Sequence, residues 1–211
     1  MDTLTAIKQR FSANHFSSRP VSDEMLVTLI DAARQAPSSF NQQHTRFLAV
    51  QDLAARQTLR AIAYNQAKVE EAPLVLVVLG DLRAHEHFAE VAQADVQAGI
   101  YNQSLADYFV DTVKNGYADP ARAHDEAIRS GALAAMNLMT AATALGLVTG
   151  PMIGFDAAKL KKTFAIAERY LPVLMITVGY NGEGNWPKKT RRPVEELLVR
   201  DARPGQRHLL S

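Results

Sequence analysis

Residues 73 to 80 read PLVLVVLG, a run with no charged or polar side chain. A strand with one wet face alternates apolar and polar residues, so this run predicts a central strand covered on both sides. A second run, LPVLMITVGY (171–180), has the same character. The stretch GALAAMNLMTAATALGL (131–147) is apolar nearly all round, yet shorter than the ~20 residues that cross a bilayer. It predicts a helix buried in the middle of the fold, its small residues permitting close approach by neighbours.

The remaining elements read as cover for those strands. Residues 3 to 10 form a short helix with Leu4 and Ile7 on one side, stopping near Phe11-Ser12, and Pro20 marks an extended link. Ser22 is placed to cap the next helix, with Asp23 and Glu24 at its positive end and Val21 and Leu26 spaced as a staple. Met25, Leu26, Leu29, Ile30 and Ala33 make its apolar face, and Pro37 ends it. Arg46–Gln51 reads as a strand, Asp52–Ala63 as a helix, and 86–114 as mostly helical, interrupted near Asn115-Gly116 and Asp119-Pro120. A further helix starts at Asp156. After Gly182 the chain becomes Pro-rich and basic, an extended arm over residues 187–211. With no repeat and no linker, the pattern predicts one α/β or α+β domain over 1–211, a sheet with helices on both faces.

Composition narrows the function. The 23 Lys and Arg nearly balance the 22 Asp and Glu, unlike the basic excess of a nucleic-acid binder. The absence of cysteine excludes disulfides, thiolate metal sites and Cys nucleophiles. Met1-Asp2-Thr3 opens no apolar leader and no run is long enough to span a membrane, so a cytoplasmic protein is expected.

Several motifs fail. Gly182-Glu183-Gly184 lacks the third glycine and the following helix of a dinucleotide fingerprint. His85 and His87, two apart on a helix, point roughly 200° apart and read as a solvated helix start. Other pieces stay open when taken singly. KKTRRP (188–193) is either a solvated basic tail or, in extended geometry, a phosphate grip in which Lys189 and Arg191 project together about 7 Å apart. Arg10 and Ser12 form a second small anion set. YNQAK (64–68) places Asn65 and Lys68 at i and i+3, on one helical face, as any solvated helix could. In APSSFNQQH (36–44), five of the six residues from 38 to 43 are serines or side-chain amides, which makes either a solvated loop or a polar wall.

RFSANHF, APSSFNQQ, NQAK, GPMIGFD and KKTRRP, in this order from about Ile7 to Val199, resemble the flavin-dependent nitroreductase family. The resemblance implies an α+β fold with a mixed central sheet between helices, in an intertwined homodimer with FMN at the interface and a C-terminal arm exchanged between subunits. It implies that Arg10, Ser12, Lys189 and Arg191 hold the FMN phosphate, with Phe11 adding main-chain atoms. Asn65 would meet the N3 and O4 edge of the ring, and Lys68 the N1 and O2 edge. Pro151, Ile153 and Gly154 would lie against the ring, with the Ile153 and Gly154 N–H groups toward N5 and O4. Pro37, Ser38, Ser39 and Asn41 would reach the partner's FMN, which accounts for the polar loop. The implied activity is ping-pong transfer of hydride from NADH or NADPH, through flavin N5, to a small-molecule nitroaromatic or quinone acceptor. Enones, halogenated aromatics, or FMN binding without turnover are the alternatives. Tyr101, Tyr108 and Phe109, within 89–121, are expected to cover the open face of the ring or to belong to the core. Asn14, also implied to bind the FMN, stands where many members carry Lys, Ile153 where Glu is frequent, and His44-Thr45 where Pro and a large aromatic are common. His44 is then either a proton donor near substrate or a satisfied or solvated loop histidine.

Overall fold

Leu74–Asp81 forms β2, and every residue in it is buried. The computed structural model describes residues 1–198 and 200. Alternation of side chains along β2 serves two cores. Leu74, Leu76 and Val78 join Leu29, Ala33, Leu138 and Ala142 on one face. Val75, Val77 and Leu79 join Leu59, Ile62, Val69 and Leu160 on the other. The expected double burial therefore has a direct cause in the helices on either side.

Beside β2 lie β1 (Thr45–Val50) and β4 (Tyr170–Gly179), and β3 (Val148–Met152) pairs with β4, giving the order β1-β2-β4-β3. All three pairings are antiparallel. The mixed character expected of the sheet is confined to one isolated parallel bridge, Ser12 to Thr149.

Local capping signals mark the helices. In α1 (Thr3–Gln9) the Asp2 side chain accepts from Thr5 N at 3.0 Å, and in α2 (Asp23–Arg34) Ser22 Oγ accepts from Met25 N at 3.2 Å. Asp52 caps α3 (Leu53–Ile62) in the same way. Helices α3, α4 (Lys68–Glu71) and, later in the chain, α8 (Ala157–Thr163) supply Leu59, Val69 and Leu160 to the second core. Between β2 and β3, α5 (Phe88–Gln97) and α6 (Gln103–Gly116) pack on each other around Phe88, Ala106, Val113 and Tyr117.

Helix α7 (Pro120–Ala144) corrects the expectation at both ends. Asp119-Pro120 starts the helix instead of interrupting one: Asp119 accepts from Ala121 N, and proline suits the first turn, where its missing N–H costs nothing. Gly146, at φ +80°, lets the chain turn away after it. Nor is α7 buried all round. Ala127, Ala134, Leu138 and Ala142 face the core, whereas Ile128, Leu133 and Met136 are exposed. Helices α1 and α2 both pack on α7.

The arm after Gly182 contains one short helix, α9 (Val194–Leu197), where none was expected. Much of the arm expected to exchange between subunits, Val199 and residues 201–211, lies outside the described residues.

Candidate functional site

The C-terminal end of α1 delivers Arg10 to an extended segment. Ser12 bridges Thr149 of β3, Ala13 N donates to Thr149 O at 2.9 Å, and Phe16 bridges Asn181 beyond β4. The chain leaving β4 thus runs back beside residues 12–16. Arg10, Phe11, Ser12 and Asn14, Lys68 of α4, and Trp186, Pro187, Lys188, Lys189 and Arg191 line one cavity of about 250 Å³. Seven of the residues expected to serve one ligand converge here from three parts of the chain.

This cavity is crowded with positive charge. Lys188 Nζ donates to Ile7 O at 3.1 Å and Lys8 O at 2.5 Å, satisfying carbonyls at the negative end of α1. Among the described residues, Arg10, Lys68, Lys188, Lys189 and Arg191 have no carboxylate within 4.0 Å. Burial, and then the charge of Arg191, pulls the Arg10 guanidinium below its usual value. Burial, followed by Arg10 and Arg191, does the same to Lys188, and burial alone lowers Lys68. Cations held together without counter-charge favour an anion whose oxygens accept from several of them.

A second cluster adjoins through Lys68. Tyr64 and Asn65 take left-handed backbone angles, φ +54° and +59°, and Asn65 N closes α3 by donating to Arg60 O at 2.9 Å. Asn65 therefore lies outside any helix, and it does not share a helical face with Lys68, which opens α4. Gln66 Nε2 donates to Gly154 O at 2.9 Å, tying this turn to the loop that carries Ile153 and Gly154. Pro151 sits within β3, and the Ile153 side chain is 80% exposed.

The polar loop is built differently. Ser39–Asn41 is a 3-10 turn, with Phe40, Asn41 and Gln43 at positive φ. Ser38 Oγ accepts from Gln43 N at 2.9 Å, and Ser39 Oγ accepts from Tyr117 Oη at 2.6 Å. The Phe40 ring meets Phe88 and Phe109 edge-on, with centroids 6.4 and 5.6 Å away. Phe109 and Tyr101 thus belong to the packing of α5 and α6, while Tyr108 is exposed. Pro37 and Ser38 line a separate groove of about 600 Å³ with Leu26, Ile30 and Phe47. Within one chain, none of Pro37, Ser38, Ser39 and Asn41 lines the cation cavity.

Reading the sequence missed Lys188, Trp186 and Gln66. Lys188 was visible as a charge beside Lys189, but strand alternation points it to the opposite side, and only the end of α1 explains its place. Gln66 stood between two named residues, and its partner is a carbonyl 88 positions away.

His44 is 2% exposed. Its Nδ1 lies 3.4 Å from Ser130 Oγ, which donates to Glu126 Oε1 at 3.2 Å, and Arg129 pairs with Glu126. It is a buried residue hydrogen-bonded into α7, at the wall of the groove that Pro37 and Ser38 also line. Burial holds its pKa below the ordinary 6.5, outweighing the opposing pull of Glu126 and Asp81. A lowered folded value means that the unfolded chain binds more protons as pH drops through the region of 6.5, so acidification costs stability there. The melting temperature is expected to fall between pH 7 and pH 5, and His44→Gln should flatten that dependence in thermal melts followed by circular dichroism.

Comparison with known proteins places the chain in a family. Residues 7–180 match the nitroreductase family. MhqN of Bacillus subtilis, provisionally named an NAD(P)H nitroreductase, is 34% identical over 194 residues, covering 90% of this chain and 94% of MhqN. A Thermus thermophilus protein named NADH dehydrogenase is 30% identical over 202 residues, covering 94% of this chain and 96% of that one. A structure from Exiguobacterium sibiricum, provisionally described as a nitroreductase and solved in complex with FMN, has a TM-score of 0.86 at 27% identity, covering 94% of this chain and 96% of that one. The chain belongs to the nitroreductase family, as its motifs implied.

Proposed function

We propose that this protein is an FMN-dependent oxidoreductase that draws reducing equivalents from NADH or NADPH and delivers them to nitroaromatic or quinone-type acceptors. The observation that carries the reading is the cavity in which Arg10, Lys188, Lys189 and Arg191 meet around Ser12 with no acidic partner among the described residues. A phosphate dianion supplies the missing counter-charge, so the residues present fit the phosphate of FMN. Lys68 is half-buried and likewise lacks a carboxylate partner, which suits a cation set to stabilise negative charge at the pyrimidine edge of the ring. Asn65 and the Ile153 and Gly154 N–H groups, joined to Lys68 through Gln66, are the ring-edge donors of this reading. Bound FMN supplies the hydride chemistry, accepting from the nicotinamide and then passing electrons on, so the protein needs no nucleophile or acid–base triad.

The same reading makes the protein a homodimer. The polar loop Pro37–Asn41 stands apart from the cation cavity of its own chain, and in this reading it contributes to the site of a second copy. Exposed Ile128, Leu133 and Met136 on α7, with Leu4 and Ile7 on α1, offer the apolar surface such an association needs. Donor and acceptor would use one open face in turn. The test is optical. Purified protein should be yellow, and its absorbance should bleach with NADH or NADPH under nitrogen and return on addition of a quinone. A colourless protein that takes up no FMN overturns the reading, and a yellow protein that does not bleach is a flavin binder only.

A further inference from the structure

The cation cavity is assembled from segments about 180 residues apart, joined beside the cavity by Lys188 Nζ on the Ile7 and Lys8 carbonyls and by one side chain that bears no charge, Asn185. Asn185 Oδ1 accepts from Asn14 N at 2.7 Å and from His15 N at 3.0 Å. Its Nδ2 donates to His15 O at 2.7 Å, and lies 2.9 Å from Asn181 Oδ1 and 3.3 Å from Gly182 O. A single amide thus satisfies three backbone groups of Asn14 and His15 while binding its own turn. Two N–H groups converge on one atom and carbonyl oxygens surround the other, which fixes the orientation of the amide.

On either side of this clamp lie the ligand-facing groups. Arg10, Phe11, Ser12 and Asn14 precede it on one strand, and Trp186 to Arg191 follow it on the other. The nearest regular pairing, Phe16 with Asn181 and Gly182 N to His15 O at 3.2 Å, ends before the cavity begins. At the cavity wall itself Lys188, Lys189 and Arg191 of one segment and Arg10 of the other carry like charges, which push the two apart. We propose that Asn185 is a positioning residue for the anion site: it holds the Lys188–Arg191 segment against Arg10 and Ser12 so that their cations reach one ligand. Alanine or a hydrophobe at this position frees two backbone N–H groups and lets the basic segment swing outward. The inference rests on the reading of the cavity as the FMN phosphate site.

A double-mutant cycle on the full chain tests it, with FMN affinity measured by quenching of Trp186, the single tryptophan, which lines the cavity. Asn185→Ala is expected to weaken FMN binding about tenfold, the size of the lost hydrogen bonds. Arg191→Ala is expected to cost about tenfold or more in the wild-type chain, but less than about threefold when Asn185 is already Ala, because a segment no longer held has little left to lose. Should Asn185→Ala not fold, Asn185→Asp, which loses the donor to His15 O, carries the same cycle. An affinity within threefold of wild type, or an Arg191 effect undiminished by the Asn185 change, overturns the assignment. Wild-type protein that binds no FMN overturns the reading beneath it instead.

Discussion

Replacement of Lys189 and Arg191 by alanine together is expected to lower FMN affinity by about a hundredfold or more and to give protein that loses its colour on gel filtration. Each side chain lines the cavity, and neither has an acidic partner among the described residues, so neither charge is spent on the protein itself. A hydrogen bond to a charged group is worth about 1.5–3 kcal/mol, and two lost together correspond to about two to four decades in affinity. Arg191 also donates to Lys189 O and Thr190 O at 2.9 and 3.0 Å, which orients its guanidinium without neutralising it. The chain should still fold, because both residues are exposed and lie outside the two cores beside the sheet. Isothermal titration of stripped protein with FMN measures the loss. Unchanged flavin content would place the phosphate elsewhere.

Gly150→Ala is expected to destabilise the fold by about 3 kcal/mol, the upper part of the range for overpacking a tight interior. A Cβ there would lie 2.4 Å from Ala13 O and 2.5 Å from Thr177 Oγ1, and Thr177 Oγ1 already donates to Gly150 O at 3.1 Å. One obstacle is backbone, which cannot rotate aside as a side chain can. The 12–14 segment would have to lift off β3, breaking the Ala13 N to Thr149 O bond and disturbing the cation cavity as well as the core. For a chain of this size the cost corresponds to a drop of roughly 6–12 °C in melting temperature. Loss of FMN affinity should accompany it. Gly146→Ala is the contrast: nothing lies within 4 Å of the added atom, so only the strain of φ +80° remains, about 1 kcal/mol. Equal melting temperatures for the two variants would refute the close-approach account.

Legibility differed between the two halves of the site. Arg10, Phe11, Ser12, Asn14, Lys68, Lys189 and Arg191 stood out because their order matches a family pattern, and they do meet in one cavity. The shared helical face of Asn65 and Lys68 does not exist. A left-handed turn at Tyr64-Asn65 closes α3 first, and one amide–carbonyl bond decides that geometry. His44 had two readings in the sequence, a donor near substrate or a loop histidine. Its burial comes from Ser130 and Glu126 on α7, more than 80 residues later. The polar loop had two readings in the sequence, and the single chain places it on a groove of its own.

By itself the sequence determined what some segments need: two covered faces for PLVLVVLG, a side-chain oxygen before α2, and water or an anion for its clustered cations. These are local requirements, set by hydration, backbone geometry and charge within a few residues. Tertiary structure alone decided which distant groups meet them: Lys188 with the carbonyls of α1, Gln66 with Gly154, Asn185 with Asn14 and His15, and which face of α7 is left bare. A side-chain amide or ammonium pairs with any backbone group of the right kind, so its identity carries no address. The packing of the sheet and its helices supplies that address.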